Sequence, residues 1–355
     1  MCSFLMKSIK RLDNIDLFKC IAILMVVSIH INVWHTYYIE QSLNDDRIQY
    51  AIRLIMEGVP IFLFVNGFLT MDKEFDLKKH LKKTFKLFLL YVFWAVTTYL
   101  LCSLFLDKTI TIKGIWDSII LTRINSLYTG HLWFIQNLIA VYMIVPIIKP
   151  LYLDEDKYYL YRYLFIMVTL FTFVPAFINL CGGNKISEFI LLFNPVTNLN
   201  YLFYFMLGSV VKKNIKEFEK NRKTFIIFGI LSYIGAIILG FSLSKSLGLT
   251  YKPNYLYEQV LLVPIILGMF ALIYNYKSKD RIYNYIITSL SNNTFGIYVI
   301  HYILIYLSLS LKYHGLINQK PFIHRFGYFI IIFVLSFIIS LIISKIPKVK
   351  NIIKP

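Results

Sequence analysis

The chain has 355 residues, of which 58% are hydrophobic and 16% are charged, and its mean hydropathy is +0.64. Soluble domains carry about 25% charged residues, so this composition argues against a soluble protein. A formal net charge of +18 would suggest a nucleic-acid partner in a soluble chain. Here basic residues at cytoplasmic helix ends and anionic lipid explain the charge, and no nucleic acid is expected.

Apolar runs suited to crossing a hydrocarbon core of about 30 Å recur along the chain. They predict an all-α polytopic membrane protein, a bundle of about ten transmembrane helices with both termini in the cytoplasm. The predicted spans are 16–34, 50–71, 86–106, 131–149, 162–180, 198–211, 224–243, 257–275, 293–311 and 326–345.

The distribution of basic residues favours this topology. With the N-terminus inside, 26 Lys and Arg fall inside, 10 fall outside and Arg53 lies within a span, which accounts for all 37. The richest clusters, 78–86 and 212–223, both fall inside, as the positive-inside rule requires. The outer gap 107–130 contains GIWDSIILTRI, which is amphipathic enough to lie on the outer surface.

The predicted organisation is a single integral membrane domain over 11–346, with short cytoplasmic tails at 1–10 and 347–355. The first apolar run lacks a following small-residue cleavage site, so the first helix is expected to be retained. No internal repeat is evident. The protein is expected in a cell membrane as a multi-pass protein, and a bacterial plasma membrane fits best.

The first predicted span carries two residues that are costly in lipid. Lys19 and His30 are eleven positions apart, so at ~100° per residue both point from one helix face, ~16 Å apart along the axis. For Lys19 alone, snorkelling to the cytoplasmic boundary is the simpler explanation. His30 lies inside an otherwise apolar helix, where an imidazole could take a proton from a hydroxyl and return it to a leaving thiolate.

The segment 57–69 reads EGVPIFLFVNGFL, and Gly58 and Pro60 break the second predicted span. Such breaks are tolerated where they line a cavity, although a kinked packing helix would look the same. Arg53 and Glu57 form an i, i+4 pair that could neutralise itself. The basic stretch 78–86 is by default a membrane anchor, but its cations would also attract a phosphate-rich ligand such as coenzyme A.

The segment 129–146 reads TGHLWFIQNLIAVYMIVP. His131 and Trp133 at its start could form part of an aromatic belt at the membrane interface. Gln136 lies one turn deeper, so this helix also presents polar groups inward.

A late segment, 291–305, reads SNNTFGIYVIHYILI. Tyr298 and His301 share a helix face at i, i+3, and His301 is equally explained as a packing residue or as part of a site. The histidines lack the carboxylate neighbours of a metal site, so no metal is expected. The four cysteines show neither zinc-ligand spacing nor a disulfide framework.

These motifs, in this order, resemble the membrane acyltransferase-3 family. The stretch 15–30 resembles its first helix, with a basic residue, ten positions and a histidine. VPIFLFVNGFL at 59–69 resembles its second-helix segment, HLWFI…Y…P at 131–146 its fourth-helix block, and SNNTFGIYVIH at 291–301 its late block. The similarity runs from about 11 to 345, nearly the whole chain.

The resemblance implies an integral membrane O-acyltransferase, such as an O-acetyltransferase that modifies polysaccharide. Members move an acyl group, often acetyl, from cytoplasmic acyl-CoA to a hydroxyl or amine of a sugar, glycan or lipid-linked acceptor. The donor acyl-CoA is thus a substrate, and no permanently bound cofactor is implied. The chain would act alone or hand its acyl group to a separate extracytoplasmic protein.

Carried onto this sequence, the basic-plus-histidine motif falls on Lys19 and His30, with lysine where many members have arginine. Lysine keeps the charge and loses the bidentate fork. The resemblance makes His30 the catalytic candidate, either as a general base or as a transiently acylated residue. It assigns acyl-CoA binding to Lys19, Lys83 and Lys86, and a supporting polar or acceptor site to Asn66, His131, Trp133, Gln136, Tyr298 and His301.

Two other classes fit the same polar interior. A glycan or small-molecule exporter would move its substrate without acyl-CoA and often has an internal repeat. A membrane sensor or assembly partner would use its histidines structurally and would not respond to acyl-CoA. The acceptor, the length of the acyl group and the oligomeric state stay open at the level of sequence.

Overall fold

The computed structural model of the protein describes residues 13–31, 52, 55–120, 128–180, 199–246, 260–277, 280–311, 322–347 and 349–354. Within these ranges the chain is helical and contains no strand. Helices are expected because a segment in lipid has to satisfy its backbone polar groups internally.

The helices follow one another with short connections. They are α1 Asp13–His30, α2 Gly58–Thr70, α3 Leu77–Phe105, α4 Ile112–Ile120, α5 Trp133–Leu153, α6 Tyr158–Leu180, α7 Leu199–Lys213, α8 Ile215–Lys220, α9 Arg222–Ser246, α10 Leu262–Ile273, α11 Arg281–Asn292, α12 Thr294–Ser310 and α13 Phe322–Lys345. Single 3₁₀ turns occupy Gly130–Leu132, Glu155–Lys157 and Lys350–Ile353.

A helix stands at each of the ten predicted spans, but they differ in length. Five described helices are long and apolar enough to cross a membrane, and a sixth span results if α11 and α12, which meet at 67°, count as one. In the described part, α2 has 13 residues and α10 has 12, while α1 carries Asp13, Asp16 and Lys19. The protein is a multi-pass membrane protein, and the count of ten spans and the cytoplasmic termini stay predictions.

Helices α2 and α7 cross with their backbones in contact. A Cβ atom added to Gly67 would lie 1.8 Å from the carbonyl oxygen of Phe205, and one added to Gly208 would lie 1.9 Å from that of Phe64. Small residues at reciprocal positions allow this approach, as in other membrane helix pairs. The contact places α2, and with it Asn66, at a fixed height in the bundle.

The predicted break in the second span coincides with the start of α2. Gly58 is the first residue of the helix, and a Cβ there would lie 2.2 Å from the carbonyl oxygen of Ala22 in α1. Pro60 falls in the first turn, where its missing N–H removes no helical hydrogen bond. The proposed pairing of Arg53 with Glu57 involves a residue, Arg53, outside the described ranges.

Two short helices are amphipathic. In α4, Ile112, Trp116 and Ile120 are exposed, while Gly114 packs against the ring of Tyr99 in α3. The described part of GIWDSIILTRI is therefore amphipathic as predicted, and its place at the outer surface stays a prediction. The second is α11, which the sequence reading left as a loop before the span at 293–311.

The residues after α13 pack against α3. Trp94 Nε1 donates to the carbonyl oxygen of Ile352 at 2.7 Å, and Lys86 Nζ donates to that of Lys354 at 2.6 Å. Ile353 is fully buried. The described part of the predicted C-terminal tail is therefore part of the packed bundle.

The contact between α2 and α7 leads to a first prediction. We expect Gly208→Ala to lower the free energy of unfolding by about 1–3 kcal/mol, because the two backbones have to move apart. Thermal unfolding of the purified protein in detergent measures this. Gly327→Ala in α13 is the control, since nothing lies within 4 Å of its added Cβ. Equal stability of the two variants would contradict the close approach.

Candidate active site

The site is built around a hydrogen bond between two histidines on different helices. His30 is the last residue of α1, and His301 lies in the middle of α12. His30 Nδ1 and His301 Nε2 are 2.9 Å apart, and the ring centroids are 5.0 Å apart. His301 is fully buried, whereas His30 is partly exposed. The structure thus brings together two residues that sequence analysis placed in separate motifs.

A third histidine lies beside this pair. His131 sits in the 3₁₀ turn before α5 and is 2% exposed. Its ring stacks on that of Tyr302 with centroids 4.3 Å apart and lies edge-on to His301 at 5.7 Å. Neither of its ring nitrogens has a hydrogen-bonding partner among the described residues. A buried imidazole with unused polar atoms costs free energy unless a ligand or water pairs with it.

Tyr298 connects the turn of His131 to α12. Its hydroxyl donates to the backbone carbonyl of His131, and its ring centroid lies 6.1 Å from that of His301. Because Tyr298 is already engaged with the backbone, it holds the turn that carries His131 in place. The histidines and Tyr298 thus form one connected group.

A small cavity opens between these side chains. It has a volume of about 30 Å³, and His30, His131, Trp133 and Tyr298 are among the residues that line it. That is roughly the room taken by one water molecule. A small polar group placed there would meet ring nitrogens of His30 and His131.

A larger cavity of about 220 Å³ adjoins the small one. Phe134 and Tyr298 line both cavities. The larger cavity is further lined by Lys19, Asn66, Lys83, Leu138 and Thr294, together with other apolar side chains. Since Lys19 precedes His30 in α1 and Thr294 precedes His301 in α12, the larger cavity extends toward the N-terminal ends of both helices.

Polar contacts orient the side chains of the larger cavity. Asn66 donates from Nδ2 to the carbonyl oxygen of Phe62 at 2.8 Å and accepts from the Tyr142 hydroxyl at 2.8 Å. Lys83 Nζ lies 5.3 Å from the centroid of the Tyr142 ring, and Lys83 is exposed at the cavity wall. The amide and the ammonium group are therefore coupled through one tyrosine.

Lys19 is held at the same cavity by an acidic residue one turn earlier. Its ammonium group lies 3.5 Å from Oδ1 of Asp16, which is 5% exposed. The hydroxyl of Ser291 donates to the same oxygen at 2.5 Å. This arrangement fixes the position of Lys19 more firmly than snorkelling would.

Two assigned residues have other contacts. Gln136 Nε2 donates to the Tyr91 hydroxyl at 2.7 Å, which links α5 to α3. Lys86 donates to the carbonyl oxygen of Lys354 and lines neither of the two cavities. Among the described residues, no group of three or more His, Cys, Asp or Glu side chains could hold a metal ion.

Sequence analysis overlooked three residues of the site. Tyr142 lies within the HLWFI…Y…P block, so its motif position could have indicated it. Asp16 is an acidic residue one turn before Lys19, which an i, i+3 search would have found. Tyr302 contacts both His30 and His131, but it stands in an apolar run and only the fold reveals its role.

The helical bundle and its buried histidines define a multi-pass membrane protein with a polar site between its helices. A family model described as an acyltransferase domain, that of the acyltransferase-3 family, matches residues 12–345. The chain therefore belongs to the acyltransferase-3 family and is a membrane acyltransferase by class. No significant match is found among curated proteins or among solved structures.

The larger cavity can be tested by thiol labelling. We expect Thr294→Cys, with the native cysteines replaced, to react with a small charged methanethiosulfonate, because residue 294 lines a cavity that reaches exposed Lys83. Ser336→Cys in α13 is the control, since Ser336 is fully buried. Mass spectrometry of the intact protein measures labelling. Equal protection of both cysteines would contradict an accessible cavity.

Proposed function

We propose that the protein transfers an acyl group, acetyl in the simplest case, from cytoplasmic acyl-CoA to a hydroxyl of a cell-surface or lipid-linked glycan. The observation that carries this proposal is the junction of the two cavities at Tyr298 and Phe134. A lysine-lined cavity suits a phosphate-bearing donor, and a histidine-lined one suits proton transfer.

The donor is proposed to occupy the larger cavity. Lys19 and Lys83 would pair with its phosphates at the end that we assign to the cytoplasm, in line with the clustering of basic residues there. Apolar side chains, including Leu138 and Phe134, would contact the flexible arm that carries the thioester. The thioester carbon would then reach the boundary with the small cavity.

The reaction is proposed to use His30 as a general base. His30 takes the proton of the acceptor hydroxyl as the acceptor oxygen forms a bond to the thioester carbonyl carbon. The tetrahedral intermediate collapses, the carbon–sulfur bond breaks, and the CoA thiolate receives the proton from His30. Acylated acceptor and free CoA are the products, and His30 is restored.

The charge that develops on the carbonyl oxygen needs a donor nearby. His131 suits this role, because its nitrogens lack partners among the described residues and it lines the small cavity with His30. Tyr298 and Gln136 are less suited, since their polar groups already bind a backbone carbonyl and the Tyr91 hydroxyl. Asn66 is directed by Phe62 and Tyr142 toward the larger cavity and would contact the donor.

Substitution of His30 tests the catalytic role. We expect His30→Ala to reduce acyl transfer by about 10²–10⁴-fold, the usual contribution of a general base. The assay measures CoA release and loss of radiolabelled acetyl-CoA in membranes, with mass spectrometry of surface glycans for the product. His324→Ala is the control, because His324 is exposed on α13. Normal transfer by correctly inserted His30→Ala would refute the proposal.

Paired lysine variants test the donor site. We expect Lys83→Met to raise the KM for acyl-CoA about tenfold, the effect of losing one charge-assisted contact. Lys86→Met should change the KM less, because the Lys86 ammonium group is bound to the carbonyl oxygen of Lys354. Steady-state kinetics on purified protein measures both. A larger effect at residue 86 would place the phosphates elsewhere.

A further inference from the structure

We propose that His301 is a positioning residue that fixes the proton of His30 on Nδ1 and so makes Nε2 of His30 the basic atom. The inference rests on the proposed role of His30 and specifies which of its two nitrogens accepts the proton. It follows from the direction of two consecutive hydrogen bonds.

The first bond sets the tautomer of His301. Its Nδ1 lies 3.1 Å from the backbone carbonyl oxygen of Ile297. A carbonyl oxygen only accepts hydrogen bonds, so Nδ1 of His301 has to carry a hydrogen. In a neutral imidazole the other nitrogen is then unprotonated, so Nε2 of His301 is an acceptor.

The second bond transmits this assignment to His30. Nε2 of His301 lies 2.9 Å from Nδ1 of His30, and as an acceptor it requires a hydrogen on that atom. Neutral His30 therefore carries its proton on Nδ1 and its lone pair on Nε2. A carbonyl oxygen inside α12 thus determines the tautomer of a histidine at the end of α1.

The same bonds separate the roles of the two histidines. Both ring nitrogens of His301 are engaged, one with Ile297 and one with His30, and the side chain is fully buried. His301 has no nitrogen left for an acceptor hydroxyl. His30 is partly exposed and lines the small cavity, so the basic nitrogen belongs to the residue that substrate can reach.

Positioning of this kind raises the fraction of protein that is ready for proton transfer. Without a partner, a neutral histidine exchanges between two tautomers and rotates about its side-chain bonds. The bond to His301 removes both freedoms at His30. An outer partner that holds a functional imidazole by its second nitrogen is also typical of metal-binding histidines.

The test uses full-length protein in lipid nanodiscs, labelled with ¹⁵N-histidine. The chain contains seven histidines, so the His30 signals can be assigned by comparison with His30→Gln. We expect wild-type His30 to show a protonated Nδ1 and an unprotonated Nε2. His301→Phe keeps a ring of similar size without nitrogens, and there we expect His30 to show a mixture of tautomers.

Activity provides a second readout. We expect His301→Phe to lower kcat for acyl transfer about a hundredfold, with a smaller change in the KM for acyl-CoA. His301→Gln retains an acceptor oxygen near the position of Nε2, and we expect it to restore the His30 tautomer and most of the activity. His324→Phe is the matched histidine-to-phenylalanine control at an exposed position.

Three results would overturn the inference. One is a wild-type His30 with its proton on Nε2, the second is an unchanged His30 tautomer in His301→Phe, and the third is a His301→Gln variant as impaired as His301→Phe. Failure of the catalytic proposal looks different. In that case His30→Ala transfers normally, while the wild-type spectrum still shows the proton on Nδ1.

Discussion

The hydrogen bond between His30 and His301 is the constraint on which the site depends, since it joins residues 271 positions apart in the chain. It requires α1 and α12 to run side by side with their polar atoms at one height. The contacts of Gly58 with α1 and of Gly67 with α7 position the second wall. Backbone contacts at glycines thus determine where an imidazole pair can form.

The two cavities divide the chemical demands on a membrane acyltransferase. Charged and apolar surface is combined in the larger cavity, where a long amphipathic donor has to bind. The smaller cavity is compact and is lined by titratable side chains. Tyr298 and Phe134 stand between them, so substrate binding and proton transfer take place in adjacent volumes with different polarity.

Much of the helical architecture was predictable because lipid imposes a simple rule of length and polarity. His30, His131, Trp133 and Tyr298 line one cavity, and they were named from motifs alone. The donor of a hydrogen bond was not predictable, because it depends on register between α1 and α12. Likewise, the bond of Lys86 to Lys354 and the role of Tyr302 come from distant packing that periodicity does not encode.

The Asp16 cluster has a consequence for biosynthesis. Ser291 lies 275 residues after Asp16, so at about 5–20 residues per second it is made roughly 15–55 s later. Lys19 is only three residues from Asp16 and is available as soon as α1 forms. The local ion pair lets α1 enter the bilayer with its charges partly neutralised, and Ser291 completes the shell of the carboxylate afterwards.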